Sequence, residues 1–212
     1  MQKLETPQGK APGSEEEKQR SPMRELLSWI EVIVIAIVLA LFLTRFVIVN
    51  ATVPTGSMEN TIMPGDRLLG LRLTYLFSDP QRGDIVVFRY PLDESVNYIK
   101  RIIGLPGETV EIRDAKIYID GSQTPLEEDY LKEEWVVKAD GFTFEIPEDC
   151  YLMLGDNRNN SADSCYWADE ALEQGLASTQ EEAMEYSFVH RDQILGKAYV
   201  RYWPLNKISY LY

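Results

Sequence analysis

The chain has 212 residues and a mass of 24.3 kDa, enough for one folded domain and an appendage. Hydrophobic residues make up 45% and charged residues 26%, a balance typical of globular proteins. The net charge is −13 and resides entirely in residues 51–212, which argues against a nucleic-acid partner.

The N-terminal residues 1–25 are polar and contain proline, as in APGSEEEKQRSP. Such a composition predicts a disordered tail. The next 24 residues, Leu26–Val49, are almost entirely apolar. At about 1.5 Å per residue they span roughly 36 Å, enough for a bilayer core of about 30 Å. Glu31 and Arg45 lie near the two ends, where long side chains reach the interface. We therefore predict a transmembrane helix over residues 26–49.

The charges that flank this segment predict its orientation. Three basic residues precede it within residues 18–24, whereas beyond Arg45 the next basic residue is Arg67. The positive-inside rule then places the N-terminus in the cytoplasm and residues 50–212 outside it. The alternative is a cleavable signal peptide, because Val49–Ala51 resembles a small-residue cleavage site. A mature N-terminus at Thr52 would contradict the anchor.

Residues 50–212 have the pattern of a β domain. Short β-branched and aromatic runs alternate with Gly and Pro, which predicts a mainly β domain of folded sheets or a barrel. The predicted strand segments are Gly83–Pro91, Asn97–Glu108, Thr109–Gly121, Cys150–Asn157 and Ile194–Pro204.

Two features of this domain depart from the strand pattern. Ala168–Tyr186 is rich in Ala, Glu and Leu, which predicts an acidic helical insertion with a solvated surface role. Cys150 and Cys165 both follow the predicted span, where a disulfide is chemically allowed, but the sequence does not decide between a disulfide and two thiols.

A serine and a lysine are the candidate catalytic pair. Ser57 lies in PTGSMENTIMPGD, just after the apolar segment, and a serine nucleophile needs a base. The single histidine, His190, has no serine near it in the sequence and is interpreted as a surface or structural residue. Lys100 lies in the apolar strand VNYIKRIIG, where burial would lower its pKa and permit a neutral amine. The alternative is an exposed strand lysine.

The loop DNRNNSAD, residues 156–163, is the one segment that suggests a metal site. It does not fit a calcium-binding loop, because Arg158 occupies the third position and Ser161 the position of the turn glycine. We therefore expect no metal site there.

Four segments, in order, resemble the type I signal peptidases, membrane-bound proteases that remove signal peptides from exported proteins. The segments are VPTGSMENTIMPGD, RGDIVVFRYP, YIKRIIGLPGE and LGDNRNNSADS followed by GKAYVRYWP. The resemblance implies that Ser57 is the nucleophile and Lys100 the general base of a serine endopeptidase. It further implies that Thr55 helps to bind the oxyanion and that Ser161 orients the lysine amine.

The resemblance assigns supporting roles as well. Asp163 and Asp156 match acidic positions that support the Ser161 loop, and Met58 matches a residue that packs beside the nucleophile and contributes to substrate binding. No cofactor is implied. The implied partners are exported pre-proteins with signal peptides and the lipid of the plasma membrane, where the protein would be a single-pass enzyme with its catalytic domain outside.

Two departures from the family pattern leave alternatives open. The family usually has arginine where this chain has Cys165, and the acidic segment 168–186 replaces a short link. A specialised peptidase that serves a subset of exported proteins is one alternative. A catalytically inactive, membrane-tethered binding module is another, although an intact pair of Ser57 and Lys100 argues against it. A soluble self-cleaving repressor with a Ser/Lys pair is disfavoured by the apolar segment.

Overall fold

The computed structural model describes residues 22–136 and 141–211, and the chain divides into two units after Leu41. The described residues of the first unit, 22–41, are helical, and they belong to α1, which runs over Pro22–Phe42 with no buried residue. Pro22 suits the first turn of a helix, where no backbone donor is needed. Within Pro22–Val47 an 18-residue window has a mean hydropathy of 2.8, and the stretch is long and apolar enough to cross a membrane.

The boundaries of this helix differ from the predicted ones at both ends. The last four residues of the predicted tail, 22–25, are helical, while residues 1–21 lie outside the described residues. At the other end a π-helical turn, Leu43–Val47, is followed directly by strand β1 at Ile48. Ile48 and Val49 are therefore strand residues, because β-branched side chains favour strands and Val49 is buried there.

The second unit is mainly antiparallel β-sheet, as predicted. The strands are β1 Ile48–Thr52, β2 Arg67–Leu71, β3 Ile85–Tyr90, β4 Asp93–Gly104, β5 Thr109–Arg113, β6 Lys116–Ile119, β7 Thr143–Glu145, β8 Cys150–Leu154, β9 Phe188–His190, β10 Ile194–Trp203 and β11 Ser209–Tyr210. The large sheet has the strand order β1-β2-β10-β3-β4-β8-β9, with β11 paired to β10, and the small sheet has the order β6-β5-β7.

The longest strand, β4, extends from solvent into the core. Its first five residues are exposed and its last five, Lys100–Gly104, are buried. It pairs with β3 on one side, where Lys100 is opposite Val86, and with β8 on the other, where Arg101 is opposite Leu154. Lys100 thus lies at the point where the strand enters the interior.

The hairpin predicted within Thr109–Gly121 is present as β5 and β6. Asp114 and Ala115 form its turn with φ of 48° and 60°. Two successive positive φ angles match a two-residue turn that follows the twist of the strands. The small sheet packs Val110, Ile112 and Ile117 into one hydrophobic cluster with residues of β4 and β8, so the two sheets share a core.

The predicted insertion consists of helices, but it begins earlier and is less solvated than expected. A short helix α2, Thr74–Phe77, precedes β3; α3 covers Ser164–Glu173 and α4 covers Gln180–Glu185. Asp163 caps α3 by accepting a hydrogen bond from the Cys165 backbone, which explains the earlier start. One face of the insertion is buried, and the alanines of that face are Ala168, Ala171, Ala177 and Ala183.

Candidate active site

The segment that carries Ser57 is held by hydrogen bonds from two directions. The Asn157 backbone donates to the Ser57 carbonyl at 3.0 Å, and the Asn157 side chain donates to the Gly56 carbonyl at 2.9 Å. Below the segment, Met58 and Ile62 are fully buried in one apolar cluster. Ser57 itself is 7% exposed, so its hydroxyl lies at the floor of a cleft rather than in a solvated turn.

Lys100 reaches the same point from strand β4. Its Nζ atom lies 2.7 Å from the Ser57 Oγ atom, and its side chain is 3% exposed. Both groups are thus within hydrogen-bonding distance and largely shielded from water. This geometry is what a general base requires if it is to take the proton of a serine hydroxyl.

Burial changes the titration of the lysine. Desolvation lowers the pKa of Lys100 to about 8, while the carboxylates of Asp163 and Asp156 act in the opposite direction. The ammonium loses hydration on burial, and two nearby negative charges restore part of its stability. A substantial fraction of the amine is therefore neutral near pH 8.

Asp156 is part of a buried ion pair next to this lysine. The Arg101 guanidinium donates two hydrogen bonds to the Asp156 carboxylate, at 2.9 and 2.7 Å, and Thr61 donates to the same carboxylate. The Arg101 guanidinium also lies 4.0 Å from the ring centroid of Tyr130. Asp156 thereby links β4, the loop after β8 and the helical turn that follows Ser57.

Asp163 and Ser161, in the loop between β8 and α3, lie close to Ser57 and Lys100. The buried Asp163 carboxylate accepts a hydrogen bond from the Gly155 backbone at 3.0 Å. Burial raises the pKa of Asp163, against the lowering effects of the Lys100 ammonium and the Ser161 hydroxyl. The Ser161 hydroxyl is buried and makes no hydrogen bond of ordinary geometry within residues 22–136 and 141–211.

Gly155 lies where the Ser57 segment and the Ser161 loop come into contact. A Cβ atom at this position would lie 2.3 Å from the Ser161 Oγ atom and 2.5 Å from the Ser57 carbonyl oxygen. Both distances are far shorter than any real contact of a Cβ atom. The absence of a side chain therefore allows the Ser57 segment and the Ser161 loop to approach each other just after the end of β8.

Ser57 and Lys100 open onto a cleft of about 330 Å³. Thr55 is exposed at its rim, and Met58 lines it from below. Two chain segments form its walls, residues 52–58 and residues 96–100, with Asn160 and Ala162 at one end. Residues 96–100 belong to strand β4, and a cleft with a strand along one wall fits an extended peptide.

Several residues of this site were not singled out in the sequence. Tyr98 lines the cleft, and Asn157 holds the Ser57 segment. The strand pattern contained the signal for Tyr98, because residues two apart on a strand face the same side and Tyr98 precedes Lys100 by two. No comparable signal exists for Asn157, since its role depends on contact between distant loops.

Three other residues discussed from the sequence lie outside the cleft lining. His190 is exposed and pairs with Asp192 at 3.0 Å. Cys150 and Cys165 are free thiols in the structure. Burial raises the pKa of the Cys165 thiol well above its ordinary value, so this side chain is neutral where the family usually has a cation.

Comparison with known proteins places the chain in a family. The family model "Signal peptidase, peptidase S26" matches residues 26–203. A probable signal peptidase I-2 of Synechocystis is 35% identical over 92% of this chain and 81% of its own length. The signal peptidase I of Leptolyngbya laminosa is 36% identical over 94% and 89%. A solved signal peptidase I from Enterococcus faecalis V583 is 34% identical and aligns with a TM-score of 0.41 over 57% of this chain and 97% of that chain.

The chain therefore belongs to the signal peptidase family, peptidase S26. The activity that the family and these relatives define is that of signal peptidase I, a serine endopeptidase. Both the predicted class of enzyme and the predicted mainly β domain with an apolar N-terminal helix are confirmed.

Proposed function

We propose that this enzyme removes signal peptides from exported pre-proteins with Ser57 as nucleophile and Lys100 as general base. The observation that carries the proposal is the 2.7 Å contact between the buried Lys100 Nζ and the Ser57 Oγ. The neutral amine accepts the hydroxyl proton while Oγ attacks the scissile carbonyl carbon. The resulting ammonium then protonates the leaving amine, and a water that gives its proton to Lys100 hydrolyses the acyl-enzyme.

Two donors are proposed for the oxyanion that forms in each step. The Ser57 backbone N–H is one, and the Thr55 hydroxyl at the rim of the cleft is the other. Fixed donors that point to the developing charge stabilise the transition state by about 3 kcal/mol each. Asn157 supports this arrangement because it holds the carbonyls of Gly56 and Ser57.

The remaining residues of the site are proposed to support the pair. Asp163 and Asp156 supply the negative charge that offsets part of the desolvation of Lys100. Ser161, whose buried hydroxyl is close to Asp163, orients the lysine amine once substrate excludes water. Met58, which is fully buried, forms part of the floor of the cleft in which the substrate residue before the cut binds.

The apolar helix Pro22–Val47 is proposed as a single-pass anchor in the plasma membrane, with the catalytic domain outside the cytoplasm. The positive charge before the helix supports this orientation. An anchored protease works on the side of the membrane where the cleavage sites of signal peptides emerge. Membrane lipid is then a permanent neighbour of the enzyme.

One experiment tests the proposed mechanism. The full chain in detergent is incubated with an exported precursor, and wild type is compared with Ser57→Ala and Lys100→Met. We expect cleavage by wild type and a loss of about four orders of magnitude or more in kcat for each variant. Lys116→Met, the same change at an exposed lysine of β6, serves as a control that should retain activity. Equal cleavage by Lys100→Met would show that the lysine is not the base.

A further inference from the structure

The helical insertion reaches the active-site cleft through a chain of aromatic contacts. It begins at Glu170 on α3, where the Oε2 atom accepts a hydrogen bond of 2.8 Å from the Tyr90 hydroxyl. The second carboxylate oxygen of Glu170 accepts a hydrogen bond of 3.0 Å from Gln174, one helical turn later. Both oxygens are engaged, so the carboxylate holds one position relative to Tyr90.

Tyr90 in turn contacts Tyr98. The two rings are stacked, with centroids 4.2 Å apart and planes inclined by 4°. Trp167, which belongs to α3 and is fully buried, lies 5.6 Å from the Tyr90 ring and 6.3 Å from the Tyr98 ring, both at steep angles. Stacked and edge-on aromatic pairs favour defined geometries, so α3 contacts both rings in defined orientations.

Tyr98 in turn forms part of the wall of the cleft. Its ring centroid is 5.6 Å from the Lys100 Nζ atom, and the two residues are on the same face of β4. Because Lys100 also contacts Ser57, the ring lies beside the place where the scissile carbonyl would bind. A shift of the ring would therefore change the space for the substrate residue that precedes the cut.

A second contact fixes the hairpin that carries both tyrosines. Leu92, in the turn between β3 and β4, packs against the buried alanines of the insertion, which include Ala168 and Ala171. The insertion thus contacts the hairpin at its turn, through Leu92, and at its aromatic pair, through Glu170. Both contacts involve residues at the end of β3 or in the turn that leads into β4.

We propose that the insertion fixes the width of the substrate cleft, with Glu170 and Tyr90 as positioning residues for the Tyr98 wall. This inference rests on the proposed function, since it concerns the substrate residue next to the bond that Ser57 attacks. The position of the Tyr98 ring then limits the size of the side chain that can bind immediately before the cut. The acidic insertion then contributes to substrate specificity and is more than a solvated surface segment.

The test compares two synthetic peptides with one signal-peptide cleavage region, which differ only in alanine or valine before the cut. The ratio of kcat/KM for the alanine peptide to that for the valine peptide is measured with the full chain in detergent. Glu170→Ala leaves the buried Tyr90 hydroxyl without its acceptor, and Tyr90→Phe removes the hydroxyl. Glu170→Gln restores an acceptor oxygen. Glu173→Ala, at an exposed residue of the same helix, is the matched control.

We expect the ratio to fall about fivefold in Glu170→Ala, which corresponds to one hydrogen bond of ordinary net strength. The change should arise mainly in KM, because the contact between Ser57 and Lys100 is not altered. Glu170→Gln should restore the ratio. If Glu170 acts through Tyr90, Glu170→Ala should change the ratio less in a Tyr90→Phe background than in wild type. A melting temperature that falls while the ratio stays constant would show a structural role only and overturn the proposal.

A second measurement does not depend on catalysis. The full chain is labelled with fluorotyrosine, and the ¹⁹F resonance of Tyr98 is assigned with Tyr98→Phe. We expect this resonance to shift or broaden in Glu170→Ala and to remain unchanged in Glu173→Ala. An unchanged Tyr98 resonance in Glu170→Ala would overturn the inference. If wild type cleaves neither peptide while the resonance still responds to Glu170→Ala, the proposed function is wrong and the link from insertion to cleft stands.

Discussion

At the scale of single residues, the environment of Lys100 contains opposing effects on its charge. Burial disfavours the ammonium, whereas Asp163 and Asp156 favour it, and the pKa settles at about 8. A fully apolar pocket would keep the amine neutral at all relevant pH values but would not stabilise the ammonium that forms during the reaction. The two carboxylates therefore keep the protonated state accessible.

The pH dependence of the reaction follows from this pKa. The active form of Lys100 is the neutral amine, so kcat/KM should rise with pH by about tenfold per unit below the pKa and level off above about 8. The measurement is kcat/KM for a signal-peptide substrate between pH 6 and 10. A profile that stays level from pH 6 upward would contradict a lysine base with this pKa.

Thr55 provides a test of the proposed oxyanion donor. Thr55→Val retains the shape of the side chain but removes the hydroxyl, and we expect kcat to fall by about a hundredfold while KM changes little. Thr55→Ser keeps the hydroxyl and should retain most of the activity. Steady-state kinetics of both variants would decide the matter. Similar losses in both would point to the methyl group of Thr55 instead of its hydroxyl.

At the scale of elements, the glycine after β8 is where two segments of the site meet. Gly155→Ala would place a Cβ atom against the Ser57 carbonyl and the Ser161 hydroxyl. We expect a loss of at least tenfold in kcat, because small displacements of catalytic groups have large effects on rate. The assay is cleavage of the same signal-peptide substrate.

A control for this change exists in the turn after β6. Gly121 has a φ of 69° and no atom within 4 Å of its would-be Cβ. Gly121→Ala should therefore lower the free energy of unfolding by about 1 kcal/mol through backbone strain and leave kcat unchanged. Comparable kinetic losses in both variants would indicate a general destabilisation.

The ion pair between β4 and the loop after β8 permits a prediction about stability. Arg101→Met removes one partner of a pair that is almost fully buried and leaves the Asp156 carboxylate uncompensated. We expect the free energy of unfolding to fall by about 3–5 kcal/mol. Arg89→Met affects an exposed pair with Glu94 at 4.0 Å and should cost at most about 1 kcal/mol. Equal losses in denaturant titrations would contradict this difference.

The elements that the sequence predicts are those with strong local patterns. The β5–β6 hairpin alternates apolar and polar residues around a two-residue turn. Other predicted segments contain β3, β8 and β10, while the segment Asn97–Glu108 misses the first four residues of β4, which are polar or exposed. Strands β7 and β9 have three residues each, too few to form a recognisable pattern. Their extended conformation comes from pairing with β5 and β8, which are distant in the sequence.

In the candidate site, too, residues with a local sequence pattern could be predicted and contacts between distant segments could not. Ser57 and Lys100 could be chosen because a motif and an apolar strand carry them, although the 2.7 Å contact between them depends on the whole sheet. The link from Glu170 to Tyr98 could not be predicted, since it requires the packing of a helix against a hairpin 80 residues away along the chain. Local patterns indicate residue types, whereas such contacts arise only in the folded chain.

At the scale of the whole molecule, the anchor and the acidic domain make a prediction about topology. Glu181→Cys, at an exposed position of α4, should react with a membrane-impermeant maleimide in intact spheroplasts, in a background with Cys150→Ser and Cys165→Ser. Gln2→Cys in the same background should react only after lysis, because the basic residues before the span keep the tail inside. The reverse pattern of labelling would contradict the proposed orientation.

The burial of Trp167 has an optical consequence. Of the four tryptophans, Trp29 and Trp203 are exposed and Trp135 is buried elsewhere, so Trp167 is the emitter that lies beside the cleft tyrosines. Its apolar surroundings should give a blue-shifted fluorescence, and the stacked rings of Tyr90 and Tyr98 can transfer excitation to it. A variant that keeps Trp167 as its single tryptophan would report peptide binding by a change in emission, without any label.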